Sequence, residues 1–369
     1  MHRNTYMVIN TDSLIHNIDY LKNHNHKEII PVIKANAYGT CDYYIAKLLQ
    51  KHNISLLAVS SLDEAINLRL HEVTCDILIL GYVDIKDLHL VKEYNLSIIT
   101  VSEDYTYSIK EDIKDIKFHL KIDSGMHRLG INPKNAKEIF DYLFNKGAII
   151  EGIMTHYACS DEKDNINTKH QFELFKEAYN SINHKFKYIH ASNTDASINF
   201  HEELTNYIRV GLGLWGYSDY KSELKPCLSL YSEVINVRKL NENEGVGYGL
   251  KYKSDGKGYI EVLPIGYADG LIRKNSGGQV YVNNVMGTIV GNICMDQCFI
   301  YTDEKCKLHD KVEIFGSHIP LEDVAKRLDT IPYEAITNLS DRINRIFIND
   351  SNEIEFVKSP RFESNSYKY

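Results

Sequence analysis

Short runs rich in isoleucine, valine and leucine alternate with amphipathic stretches eight times from residue 28 to residue 212. The runs are Glu28–Lys34, Leu56–Ser60, Asp76–Leu80, Leu96–Val101, Lys117–Asp123, Ile149–Thr155, Tyr188–Ala191 and Tyr207–Leu212. They show little polar alternation, as strands covered on both faces should. The stretches between them carry helical periodicity, for example Asp42–Gln50, Asp84–Tyr94, Asn135–Asn145 and Asn167–Ile182. Ser61 with Glu64 reads as a capping box opening the helix after the second run. Eight strand–helix units in sequence imply an α/β fold, a (β/α)8 barrel of TIM type. A doubly wound open sheet is the rival. Its first strand would usually lead into a glycine-rich phosphate turn, and none is present here.

At 369 residues the chain exceeds what one core usually serves, so two domains are expected. The rhythm changes after about residue 228. Alternating stretches such as Ser232–Arg238, Lys257–Leu263, Gln279–Val282 and Gly287–Ile293 are separated by Gly and Asn turns, and Asn283-Asn284 suits a tight hairpin. The expected division is a barrel over 8–228 and a mainly β domain over 229–369, with the first few residues packing with the latter. Two helical patterns, Leu321–Leu328 and Tyr333–Ile346, close the chain before a polar, loosely held tail from Ser359. Met1–Thr11 lacks the apolar core of a signal peptide, and no apolar run approaches membrane-spanning length. Seven cysteines, odd in number and irregular in spacing, suggest reduced thiols in a cytoplasm. A net charge of −8, without a basic run, argues against nucleic acid as the main partner.

Barrels of this kind carry their active sites at the C-terminal ends of the strands. Lys34 ends the first run, with the small residues Ala35, Asn36 and Ala37 right behind it. A lysine closing an apolar run is costly to desolvate, and its commonest use is Schiff-base chemistry. Asp123 to Arg128 follow the fifth run, His156 ends the sixth, Asn193 and Thr194 follow the seventh, and Arg209 and Gly211 end the eighth. Each has a bland alternative: a strand-end lysine that snorkels, a satisfied core histidine, a surface ion pair, a helix cap. Their gathering at one rim favours function. Thr194 offers a hydroxyl just before a helix, and Gly211 lets the backbone approach an anion. A Schiff-base lysine with a phosphate site suggests pyridoxal 5′-phosphate.

Val32 to Gly39 resembles the cofactor-lysine signature of the alanine racemases. The likeness continues through Asp123–Gly130, Thr155–Ala158, Tyr207–Gly211, Gly247–Gly249, Pro264–Gly270 and Ile293–Gln297, in that family's order and over nearly the whole chain. The resemblance implies a cytoplasmic homodimer that interconverts L- and D-alanine for peptidoglycan. It implies that Lys34 carries the cofactor and is one of two bases. Tyr248 is then the opposing base, reaching the partner subunit's site. Arg209 bonds the pyridine nitrogen, His156 packs at the ring, and Tyr38, Thr194, Gly211 and Leu212 hold the phosphate. Arg128 and the Met295 backbone bind the substrate carboxylate, with Tyr267 and Asp296 in the same pocket. Lys121 matches a lysine that is carbamylated in some members. The chemistry agrees: racemisation needs a proton removed from one face of the α-carbon and delivered to the other, so two bases must flank it. An arginine can only donate, which leaves the ring nitrogen unprotonated and disfavours side reactions such as transamination.

The chain departs from the family at its entrance. Many relatives carry a tyrosine where this sequence has Asp341, in the expected C-terminal helix Leu339–Arg345. An aspartate there implies a roomier, more polar entrance and some serine turnover, and a cation such as Arg342 or Arg345 must separate it from the phosphate. The bland alternative turns Asp341 away into an ion pair. Asn292 replaces an arginine often found in the outer entrance, while Arg273 is retained. A serine or broad-specificity racemase, a non-catalytic pyridoxal phosphate carrier and a decarboxylase of the same fold type are the competing readings. Tyr248 and the second domain speak against the carrier. Gly266–Asp269 and Met295–Gln297 speak against the decarboxylase. Cys294, Cys298, Cys306 and His309 fit no strong zinc spacing, and no metal is expected.

Overall fold

The computed structural model describes residues 4–358 and divides into two compact units. Among the described residues, one holds Leu14–Ala37 and Cys41–Lys225; the other holds residues 4–13, Tyr38–Thr40 and residues 226–358. The expected loose tail from Ser359 lies outside the described residues.

Strand β1 (Tyr6–Asn10) belongs to the second of these units. The barrel unit is built on β2 (Glu28–Pro31), β3 (Leu56–Val59), β4 (Asp76–Ile79), β5 (Ser97–Ile99), β6 (Lys117–Lys121), β7 (Ile149–Met154), β8 (Tyr188–His190) and β9 (Tyr207–Val210). Each of the eight apolar runs contains one of these strands. All neighbours are parallel, in the order β2-β9-β8-β7-β6-β5-β4-β3. The ends of that order meet through a bridge between Val32 and Ala58, where the Ile33 N–H donates to the Ala58 carbonyl at 2.9 Å. Ile30, Val32, Leu56, Ala58, Leu78 and Ile99 form the packed interior, so the barrel is filled rather than open. The capping box is half right. Ser61 Oγ accepts the Glu64 N–H at 3.3 Å, but the Glu64 carboxylate is spent elsewhere, as described below.

The other unit carries a ten-stranded sheet. β1 pairs antiparallel with Leu228–Glu233 and parallel with Asn344–Ile348, so the N-terminal strand is an interior member of this sheet. The expected strand Ser232–Arg238 is split into Leu228–Glu233 and Asn236–Arg238, because Val234 and Ile235 bond to Asp310 and Val262 respectively. Gln279–Val282 and Val285–Val290 form the expected hairpin, with Asn283 and Asn284 at φ 47° and 66°, as a type I′ turn demands.

The helix expected over Tyr333–Ile346 is a correction. Only Pro332–Thr337 is helical, and Asn344–Ile348 is a strand. The Ser340 N–H donates to the Asp269 carbonyl, and Arg345, 1% exposed, spends its guanidinium on the carbonyls of Gly39, Leu339, Ser340 and Ile343. Tertiary bonds break the helix that periodicity alone suggests. Asp341 therefore sits in a turn.

Candidate active site

In the barrel unit the expected residues gather at the C-terminal strand ends. Lys34 lies just beyond β2, and residues 35–39 continue in an uncommon conformation. Ala35, Asn36, Ala37 and Tyr38 have φ of 53°, 54°, 51° and 58°, and Gly39 has 82°. This is a left-handed helical turn, costing about 1–2 kcal/mol for each non-glycine residue. Small side chains lessen the clash, and hydrogen bonds hold the turn. Ala35 N–H donates to Glu64 Oε1 at 2.7 Å, and Glu64 Oε2 accepts from the Ser60 N–H and hydroxyl at 2.7 and 2.9 Å. Asn36 Oδ1 accepts the Asp42 N–H at 3.0 Å. The link between the first strand and the helix after it is thus strained, and Lys34 is exposed at the rim rather than buried. Glu64, read from sequence only as a cap, is a supporting residue of the site. Glu64→Ala is expected to lower stability by about 1–3 kcal/mol, read by thermal or urea unfolding.

Lys121 ends β6 with its side chain buried, 3% exposed. After it, Asp123 Oδ1 accepts the N–H groups of Gly125 and His127 at 3.2 and 2.9 Å, and Gly130 N–H donates to the Val101 carbonyl. A side chain at Gly130 would put Cβ 2.8 Å from Asp123 N. The loop is pinned at both ends, with Arg128 exposed between them.

Arg209 in β9 is 3% exposed. It donates to the carbonyls of Thr155 and Ala191 at 2.7 and 2.9 Å, to His156 Nδ1 at 3.0 Å and to His190 Nδ1 at 2.9 Å. Its Nε–H has no acceptor among the described residues. Asn193 caps Thr194–Asn199 through the Ala196 N–H, and Thr194 Oγ1 accepts from Gly213 N–H at 3.2 Å. That leaves the threonine hydroxyl hydrogen free to donate. Gly211 and Leu212 open the short turn that follows β9.

The electrostatics show four cations with little to neutralise them. Partial desolvation, then the charge of Arg128, pushes the Lys34 amine below its ordinary value, against Glu64. Burial, then Arg209 and Arg128, brings Lys121 down to about 8, against Asp123. Burial and the fields of Arg209, Lys121, Arg128 and Lys34 push His156 well below the usual imidazole range, so it stays neutral. Such a rim fits a ligand with two anionic groups.

The second unit holds the other expected residues. Tyr248 is 75% exposed in a turn flanked by Gly247 and Gly249 at φ 67° and 73°. The Asn292 amide donates to the Tyr248 carbonyl at 2.7 Å and accepts from Arg273 at 2.9 Å, so these two entrance candidates brace the tyrosine's backbone. The Met295 and Cys294 carbonyls accept from Ala268 and Tyr267 N–H at 2.9 and 3.0 Å. Gly266 is obligatory there, since a Cβ would lie 2.4 Å from both carbonyl oxygens. Arg342 pairs with Asp296 at 2.6 Å and with Asp269 at 3.4 Å. Sequence reasoning passed over Asp269 as a bracing group, although it lies within a noted motif. Neither Arg342 nor Arg345 pairs with Asp341, which is exposed and in no ion pair among the described residues. Tyr38 is 3% exposed, its ring 5.8 Å from that of Tyr333. Among the described residues no cysteine is in a disulfide, and no three His, Cys, Asp or Glu side chains gather as metal ligands.

Comparison with known proteins identifies the pattern. The model of the alanine racemase N-terminal domain matches residues 9–219 and that of the alanine racemase C-terminal domain residues 227–347. An alanine racemase of Staphylococcus epidermidis is 36% identical over 374 residues, covering 95% of this chain and 97% of its own. The crystal structure of a Bacillus anthracis alanine racemase with bound L-Ala-P superposes with a TM-score of 0.90 at 30% identity, covering 97% of this chain and 98% of that one. A Clostridium difficile 630 alanine racemase gives 0.91 at 31% identity, covering 97% and 99%.

Proposed function

The chain belongs to the alanine racemase family, and from that premise we propose that it interconverts L- and D-alanine with pyridoxal 5′-phosphate as cofactor. The observation that carries this reading is the gathering at one barrel rim of Lys34, its amine held below the ordinary value, with Arg128, Arg209 and the Thr194 hydroxyl, a set that suits an amine-reactive, anionic cofactor and a carboxylate substrate. The residues fit the cofactor. Arg209 keeps a donor without an acceptor, and Thr194 keeps a hydroxyl hydrogen. When bound, the cofactor supplies an electron sink that makes the α-proton of an attached amino acid removable.

The chain's own residues do the rest. Lys34 Nζ anchors the cofactor and serves one face of the α-carbon as base, helped by an amine already held below its ordinary value. Tyr248 Oη serves the opposite face. Its exposure on its own subunit suits a homodimer in which it completes the partner's site. Arg209 would donate to the ring nitrogen and, having no lone pair with which to accept a hydrogen bond from a protonated one, would keep that nitrogen unprotonated. His156 packs at the ring in its neutral form. Tyr38, Thr194, Gly211 and Leu212 bind the phosphate. Arg128 and the Met295 backbone take the substrate carboxylate, with Tyr267 and Asp296 beside them. Arg273, Asn292 and Asp341 line the entrance. The protein acts in the cytoplasm and supplies D-alanine for peptidoglycan.

Lys121 is assigned as a carbamylation site. With its amine near 8, about a tenth is neutral at pH 7, and only the neutral amine attacks carbon dioxide. The amine gains the carboxyl group and releases a proton. The resulting anion would feel the charges of Arg209 and Arg128. Protein in carbon-13 bicarbonate should show one carbamate resonance, absent in Lys121→Ala; no resonance at pH 8 refutes the assignment.

The functional test is the initial rate of D-isomer formation from L-alanine and from L-serine, side by side, with pyridoxal phosphate present. Alanine is expected to exceed serine. Comparable serine turnover would make Asp341 the selecting residue, and no turnover of either would overturn the reading.

A further inference from the structure

Arg209 is buried, yet among the described residues no carboxylate lies within ion-pair distance of it. A buried cation without a counter-charge is costly. A row of hydrogen bonds leads to one through two histidines. His190 Nδ1 lies 2.9 Å from Arg209, His190 Nε2 lies 2.8 Å from His119 Nδ1, and His119 Nε2 lies 3.3 Å from Glu151 Oε1.

The donor inventory fixes every proton in this row. Arginine only donates, so His190 Nδ1 accepts. A neutral His190 then carries its hydrogen on Nε2 and donates to His119 Nδ1. His119 carries its hydrogen on Nε2 and donates to the carboxylate. Every N–H points away from the guanidinium and toward the anion. Burial and the Arg209 charge keep His190 far below the usual imidazole range, and burial lowers His119 against the pull of Glu151. Burial would raise Glu151, but bonds from His119 and Ser97 and the charge of Lys117 outweigh it and keep it ionised. Lys117 itself pairs with Asp76.

Three local features build this row. The β6–β7 register slips between Phe118 and His119, leaving Glu151 opposite no residue, which is how a bulge re-aims a side chain. Next to it, a Cβ on Gly152 would lie 2.3 Å from His119 Nδ1, so the imidazole occupies the space that glycine vacates. The His119 ring also stacks on that of Tyr188, their centroids 5.3 Å apart.

We propose that Glu151 is the counter-ion of Arg209, coupled to it through His119 and His190 in single tautomers, and that these three positioning residues hold the guanidinium in place. The consequence for the cofactor rests on the reading of Arg209 as the partner of its ring nitrogen; the row of hydrogen bonds does not.

The test compares wild type, E151Q and H119F. E151Q keeps volume and an acceptor oxygen but loses the charge, and H119F cuts the row while keeping the stacked ring. Nitrogen-15 spectra of histidine, with and without pyridoxal phosphate, should show bare Nδ1 and protonated Nε2 at His119 and His190. E151Q should weaken pyridoxal phosphate binding about tenfold, the scale on which outer-shell partners act, and shift the near-visible absorbance of the bound cofactor. The opposite tautomer, or an imidazolium at either histidine, overturns the proposal. So does an E151Q protein with a lower thermal midpoint but unchanged absorbance and affinity, the mark of packing alone. If wild type binds no pyridoxal phosphate, the functional reading fails, while the spectra of the unloaded protein still decide the row.

Discussion

Lys34→Arg is expected to abolish the proposed racemisation, by more than about 10⁴-fold, while leaving the barrel folded. The loss corresponds to about 5.5 kcal/mol of barrier. Lys34 is exposed at the rim, whereas its neighbour Ile33 is 1% exposed and closes the barrel through Ala58, so the fold depends on Ile33 and not on the lysine. An arginine keeps the positive charge but cannot lose a proton near neutral pH, so it neither anchors the cofactor nor acts as base. The proposed chemistry needs the neutral amine, and desolvation with Arg128 nearby already favours that form. Activity should therefore rise with pH through a value below that of a free lysine. The near-visible absorbance of bound cofactor should vanish in the variant, and circular dichroism should not change. More than about 0.01% of wild-type activity in Lys34→Arg would refute the assignment.

Tyr248→Phe should cost about 10²–10⁴-fold in rate, the range for a lost acid–base group, with cofactor absorbance retained. The side chain is 75% exposed on its own subunit, so removing one hydroxyl should change stability by less than about 0.5 kcal/mol. A mixing experiment separates a shared site from a self-contained one. If each site takes Lys34 from one subunit and Tyr248 from the other, a heterodimer of Lys34→Ala and Tyr248→Phe chains contains one intact site. Random re-pairing of the two inactive proteins then restores about a quarter of wild-type activity, since half the dimers are mixed and half their sites are whole. No recovery after verified subunit exchange would place Tyr248 in its own subunit's chemistry or outside the chemistry altogether.

Much of the barrel was legible because its signal is one-dimensional. A strand buried on both faces must be apolar throughout, and eight such runs leave few architectures. The residues at the strand ends followed from that count, since each run ends where the rim begins. Tyr333–Ile346 was misread because helical spacing is a weak prior that tertiary bonds override. The bonds of Ser340 and Arg345 are made to Asp269 and Gly39, far away in sequence. Glu64 was seen as a cap because the spacing from Ser61 is local, while its bond to Ala35 spans 29 residues. Asp341 was read with Arg342 or Arg345 as neutralising neighbours, but those side chains turn to Asp296 and to backbone carbonyls.

By itself the sequence determined the strand count, the second, mainly β region, the family and the identity of the groups able to do chemistry. Apolar periodicity and residue type are properties of the chain read in order. Tertiary structure alone decided the left-handed turn behind Lys34, the bulge that frees Glu151 and the seat that Gly152 gives to His119. It also decided that Arg209 reaches its counter-charge through two imidazoles. Those features depend on which strands become neighbours and in what register, and register is set by closure of the whole barrel, not by any one segment.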